Sequence, residues 1–281
     1  MKRRQSIAMA LLAGLCLLAA PAYAQTDSGR KFLICHTGSV TTAEEAQPYI
    51  DGFGGYLAQK LGWQDGTWEV KFENQRQAGM KALQEWAPSF AALSLGIFLE
   101  QEGAQKLVPL VLARVNGKTT NKYYVLVAKG SAKTLADLQG KTLTGSILDD
   151  GTFLSKVIFA GTIDATTHFK LEQTKRPLRA IRKVAQGQLD AALVDDVQFQ
   201  SLKGLPLFAD LEVIFESADV PNLGMVYLKD RAGNEDIKKF GEALVNMCKD
   251  PEGKKMCETF AVEGFEPLPA GALDGVRKLY K

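Results

Sequence analysis

Carboxylates occur in two adjacent pairs, each where a β-prone run gives way to a helical one. Asp149 and Asp150 lie in TGSILDDGTFLSKVIFAG (residues 144–161), and Asp195 and Asp196 end DAALVDD. A strand that turns into a helix leaves backbone N–H groups unpaired, and those groups favour an anion. An aspartate at the N-cap satisfies them from within the chain. A bound oxyanion would then meet one or two carboxylates, a repulsion of ~1–4 kcal/mol per charge pair depending on local dielectric. The expectation is a pocket that rejects phosphate and phosphonate and takes a neutral, largely apolar molecule with a polar end, such as a lipid. Asp149 or Asp150 would accept a hydrogen bond from it. Ile97, Phe98, Phe153 and Leu154 would bury its body, with Ser94 and Thr152 as polar groups and Tyr123 or Tyr124 close by. The alternatives are a cation, held if the four carboxylates converge, or a phosphate/phosphonate-type oxyanion. Of Asp195 and Asp196, one is expected to cap the following helix while the other projects into a cleft at the carboxyl end of its strand.

Cys35-His36 juxtaposes a nucleophile and a base. Neighbours on a strand point to opposite faces, so the two cannot easily share a proton. The other histidine, His168, is far along the chain, and no catalysis is expected. Histidines and cysteines are not paired at zinc-ligand spacing, and no metal or cofactor is expected.

The elements that must position these residues alternate. KFLICHT, TWEVKFE, SFAALSL, VPLVLARV and KYYVLVAK read as strands in the first half, interleaved with helices from Thr42-Ala43-Glu44-Glu45 onward, from QAGMKALQEW and near GIFLEQEGAQ. The Thr42–Glu45 spacing is that of a capping box. The second half repeats the scheme with strands KTLTGS, HFKLEQ and DAALVDD and helices FLSKVIFAG and PLRAIRKVAQG. This predicts an α/β protein with largely parallel sheets in two lobes around a cleft. VPNLGMVYLKD returns as a strand, and EDIKKFGEALVNMC and PEGKKMCETFAVEG close the chain as helices, with Asp250-Pro251 as N-cap and first-turn proline.

The first residues, MKRRQSIAMALLAGLCLLAAPAYA, have a basic start, a short apolar core and a small-x-small ending at Ala22-Tyr23-Ala24, the pattern of a cleaved signal peptide over residues 1–24. The formal charge of +2 falls to −1 once Lys2, Arg3 and Arg4 are removed, which gives no footprint for nucleic acid. The densest basic run, Lys175-Arg176 with Arg179, Arg182 and Lys183, reads as a solvated helix face. In an oxidising compartment Cys248 and Cys257 are expected to form a disulfide, and Cys35 to be a buried thiol.

KYYVLVAKGSAKTLADLQGKTLTGS and TKRPLRAIRKVAQGQLDAALVDD resemble the phosphate/phosphonate-type periplasmic binding proteins of ABC transporters. The likeness lies in the tyrosine-led strand, in the Lys133–Lys141 segment and in the run from Val184 through Gly187 to Asp190-Ala191. CKDPEGKKMCETFAVEGFEPL is similar to the family's ending. The resemblance implies a two-lobe, hinge-closing type II fold that binds and does no chemistry, with lobes of residues 25–121 plus 223–281, and 122–222. It implies a periplasmic monomer that passes its ligand to an inner-membrane permease. A sensor input for another membrane protein is the alternative. Where the family has a hydroxyl-rich turn, this chain has Leu148-Asp149-Asp150-Gly151-Thr152-Phe153-Leu154, and on the opposite wall Ser94-Leu95-Gly96-Ile97-Phe98.

Overall fold

The computed structural model describes residues 30–37 and 41–281; the expected signal peptide lies outside the described residues. The first elements are β1 (Arg30–Cys35), α1 (Ala43–Leu61), β2 (Trp68–Glu73), α2 (Arg76–Lys81), β3 (Phe90–Leu93), α3 (Leu95–Gln101) and β4 (Leu107–Arg114). A two-residue strand, β5 (Thr120–Asn121), leads out to β6 (Tyr123–Ala128), β7 (Thr142–Gly145), α4 (Gly151–Phe153), α5 (Ala165–His168) and β8 (Lys170–Gln173). There follow α6 (Pro177–Ala185), β9 (Ala191–Asp195), α7 (Asp196–Lys203) and β10 (Leu211–Glu216). The chain returns through β11 (Val220–Pro221) to β12 (Leu223–Leu228), α8 (Asn234–Met247), α9 (Pro251–Thr259), β13 (Gly264–Pro267) and α10 (Asp274–Tyr280).

Two sheets result. One is six-stranded in the order β13-β4-β12-β3-β1-β2, the other five-stranded in the order β10-β6-β9-β7-β8, and β5 pairs with β11 where the chain crosses between them. The fold is the two-lobe α/β architecture of type II binding proteins. The sheets are mixed rather than largely parallel. β1 runs parallel to β2 and β3, and β7 to β8 and β9, as βαβ units require. The chain leaves the first sheet along β4 and comes back along β12, so those neighbours are antiparallel; the same holds for β6 and β10.

Local sequence explains the element ends. The α1 N-terminus carries the reciprocal capping box, Thr42 accepting from Glu45 N–H and Glu45 accepting from Thr42 N–H. Asp250 accepts from the first-turn amides of Glu252 and Gly253 at the start of α9. The interiors of β6 and β9 are buried almost throughout, as strands covered on both faces must be. In α6, Ala180, Ile181 and Val184 turn inward and the arginines face solvent. The helix expected from FLSKVIFAG is one α turn continued as a π-helical turn over Leu154–Ile158. The six-stranded lobe is filled by Phe32, Phe53, Phe90 and Phe240, with Phe90 stacked on Phe240 at 4.1 Å.

Candidate functional site

A cavity of about 410 Å³ opens between the two sheets. The end of β1 supplies Cys35, His36 and Thr37, and the β3–α3 corner supplies Leu93 to Gly96. From the other lobe come Tyr123 on β6, Ile147, Asp149, Asp150 and Phe153 at the β7–α4 corner, and Asp195 at the end of β9. Strand ends place these residues at the cleft, the usual position for ligands in open α/β sheets. None of the described residues lining it is Lys or Arg. Ser94 is the N-cap of α3, and its hydroxyl makes no capping bond to its own helix. Both it and the first turn of α3 are thereby presented to the cavity.

The Asp149–Asp150 corner divides its work. The Asp150 Oδ1 accepts from Phe153 N–H at 2.9 Å and so caps α4. Its Oδ2 lies 3.2 Å from Nη2 of Arg76, which belongs to α2 in the other lobe and also pairs with Glu100. Asp150 is buried, and a Cβ added to Gly96 would sit 2.3 Å from its Oδ2, so only glycine admits this approach. Burial raises the Asp150 carboxyl above its ordinary value, against the pull of Phe153 N–H and Arg76. Asp149 stays on the cavity wall, and burial raises its carboxyl too.

At the second corner Asp195 caps α7 in a capping box, accepting from Gln198 N–H at 2.8 Å. It also lines the cavity, and burial raises its carboxyl. Asp196 turns the other way. Tyr124 O–H donates to it at 2.9 Å, and its own N–H donates to Asn121 Oδ1 at 3.0 Å. The four carboxylates do not converge, since Asp150 goes to Arg76 and Asp196 to Tyr124. Among the described residues no cluster of three or more His, Cys, Asp or Glu could hold a metal ion.

Of the residues singled out in the sequence, Ser94, Tyr123, Asp149, Asp150, Phe153 and Asp195 line the cavity, whereas Ile97, Phe98, Tyr124, Thr152, Leu154 and Asp196 do not. Ile97, Phe98 and Leu154 are fully buried in the core. Only the first turn of α3 reaches the cleft, and residues one step further round the helix face inward. Thr152 is exposed, and Tyr124 stacks on Phe199 at 4.0 Å. The Cys35 thiol is pushed up to about 12 by burial first and by Glu73 and Asp149 next, which holds it protonated and poorly nucleophilic. Cys248 and Cys257 are joined as a disulfide between α8 and α9. Arg76, Glu100 and the close approach at Gly96 had no local signal in the sequence. A single arginine opening a helix is ordinary until the fold brings a carboxylate to it.

A family model described as the periplasmic substrate-binding protein of phosphonate ABC transporters matches residues 39–270. No curated protein matches the chain. Among solved structures, XAC2383 from Xanthomonas citri, solved with chloride and with ATP, is similar at TM-score 0.70 and 14% identity, covering 89% of this chain and 96% of that one. A binding-protein component of a phosphonate ABC transporter from Pseudomonas aeruginosa is similar at TM-score 0.65 and 15% identity, covering 89% and 85%. PhnD1 from Prochlorococcus marinus, in complex with methylphosphonate, is similar at TM-score 0.64 and 14% identity, covering 89% and 97%. At such identities the structures show the fold. The family match overturns the expectation of a neutral, largely apolar or lipid ligand. The repulsion argument behind that expectation counted one or two facing carboxylates; Asp150 is turned into Arg76 and its own helix, which leaves Asp149 as the one of that pair without such a partner across the lobes. Three of the residues meant to bury an apolar body lie in the core instead. The family is one of transport proteins and not of enzymes. With residues 39–270 matched, this chain belongs to the phosphonate-type periplasmic substrate-binding proteins of ABC transporters.

Proposed function

We propose that the cleft captures a small polar ligand of the phosphonate or related oxyanion kind and delivers it to an inner-membrane permease. The observation that carries this reading is the pairing of walls across the cavity. On one side stand the Ser94 hydroxyl and the first turn of α3, which offer donors to oxyanion oxygens. On the other stand the carboxyls of Asp149 and Asp195, both held above their ordinary range by burial. They suit a ligand that brings its own donor, an acidic O–H or an ammonium, and disfavour a fully ionised dianion. Lobes of residues 25–121 plus 223–281, and of 122–222, would close on it about β5 and β11. Residues 1–24 would direct export and be removed.

Calorimetry on ligand-free protein tests the reading, with methylphosphonate and inorganic phosphate as probes and sulfate as the donor-free control. Heat is expected with one or both of the first two, and Ser94→Ala should weaken that binding by about tenfold, the worth of a hydrogen bond to a charged group. Absence of heat with either at millimolar concentration, or equal response to sulfate, overturns it.

A further inference from the structure

His36 follows β1, and its N–H still donates to the Glu73 carbonyl oxygen of β2 at 3.0 Å, so the β ladder fixes its backbone one residue beyond the strand. Cys35 before it packs toward α2, where a Cβ added to Gly79 would meet the thiol sulfur at 2.1 Å. Side chains alternate along an extended chain, so the His36 imidazole turns the other way, into the cavity that it lines. Thr37 and Ser94 line the cavity from the same lobe. Among the described residues none of these three side chains has a hydrogen-bond partner.

Charge sets His36 apart from the rest of the wall. The described lining groups that can ionise are Cys35, His36, Tyr123, Asp149, Asp150 and Asp195. The three carboxyls come from the opposite lobe, and burial holds the Cys35 thiol and the Tyr123 phenol protonated. His36 is thus the one described lining residue that can become a cation. Asp195, at the end of β9, is the charged group whose field reaches it, while Glu73 on β2 meets it through the backbone. Burial lowers the imidazolium below the ordinary histidine value, and Asp195 pulls against that shift without cancelling it. The ring is therefore mostly uncharged at neutral pH, with a proton site still to fill.

We propose that His36 is the positive partner of the ligand's oxyanion and takes up a proton as that ligand binds. This role rests on the oxyanion reading above and deepens it. An oxyanion at hydrogen-bond distance favours the imidazolium, and the imidazolium in turn holds the oxyanion, so affinity falls as pH rises through the histidine range. The Thr37 and Ser94 hydroxyls donate to the remaining oxygens. Repulsion from the carboxyls keeps the oxyanion against the six-stranded lobe, and the ligand's own donor then points across the cavity to Asp149 and Asp195. The ligand class is an oxyanion that carries a donor at its other end, bound by a neutral wall that becomes charged only with the ligand in place.

Nitrogen NMR of the histidine rings tests this in the unaltered protein. The chain has 2 histidines, and His168 lies on α5 with Nε2 2.8 Å from the Leu135 carbonyl oxygen, so the two rings report separately. Saturating methylphosphonate at pH about 7.5 should move the His36 nitrogens to imidazolium positions and leave those of His168 in place. His36→Gln keeps a donor but cannot carry the charge. It should lower methylphosphonate affinity about tenfold at that pH and flatten the fall of affinity with pH. Calorimetry in two buffers of different ionisation heat should also show fewer protons taken up per site in the variant than in the unaltered protein. Heat with methylphosphonate while the His36 signals stay unmoved overturns the inference and leaves the oxyanion reading standing. So does a folded His36→Gln that binds as tightly, with the same pH profile. No heat with methylphosphonate or inorganic phosphate overturns both.

Discussion

At the corner before α4 the second aspartate caps the helix; at the corner before α7 the first one does. The shift of one residue reverses what each neighbour can do. Asp149 precedes its cap, sits in the turn and remains on the cavity wall. Asp196 follows its cap, is already the first helical residue, and is carried round to Tyr124 outside the cavity. The caps differ as well. Asp195 stays within its lobe and faces the cavity, whereas Asp150 reaches the other lobe through the space left by Gly96. Two identical dipeptides at two similar corners thus leave Asp149 and Asp195 on the cavity wall, Asp150 to lobe contact and Asp196 to local structure.

The largest expected effect that sharpens this contrast lies just beyond each cap. Leu154 follows the first corner and is fully buried, while Val197 follows the second and is 44% exposed. Leu154→Ala should cost ~2–5 kcal/mol in urea unfolding, the range for a truncated core leucine. Val197→Ala should stay within about 0.5 kcal/mol, as surface changes do. Equal effects at the two sites would mean that Leu154 faces the cleft after all.

Smaller is the effect of removing the partner that draws Asp196 away. Burial first, and the hydrogen bond to Asp196 next, raise the Tyr124 phenol above its ordinary value. Tyr124→Phe keeps the ring on Phe199 and deletes one hydrogen bond, a loss of about 1 kcal/mol. Ligand affinity should not change. If it does, Asp196 takes part in the site and the division drawn between the corners fails.

Smallest, and read only as a slope, is the titration of Asp195. Its carboxyl is raised in the folded protein by burial and then by Asp196, against the pull of the Gln198 and Val197 amides and of His36. The folded state thus holds the proton more tightly than the unfolded one. The stability this confers is complete below the unfolded value, about 3.9, and is lost as pH rises through the folded value. Asp195→Asn keeps a good N-cap while removing the titration. The melting temperature of the unaltered protein relative to the variant should therefore fall as pH rises across the acid range. A relative rise would show that Asp195 gains more from its donors than it loses to burial.

The sequence by itself determined the parts whose causes are local. Capping at Thr42–Glu45 and Asp250-Pro251 rests on side chains reaching amides within one turn, and it appears where the spacing put it. The uninterrupted apolar runs in β6 and β9 required burial on both faces, and ordered motifs along the chain were enough to point to the family. Tertiary structure alone decided how those elements face one another. Helical periodicity says that α3 has a buried side, but not whether that side meets a ligand or the core, and Ile97 and Phe98 turned out to be core. Charge pairing is equally silent in sequence. Coulombic attraction acts through space, so the charge an oxyanion would meet at Asp150 depended on Arg76 arriving from another lobe and on Gly96 leaving room for the two to meet.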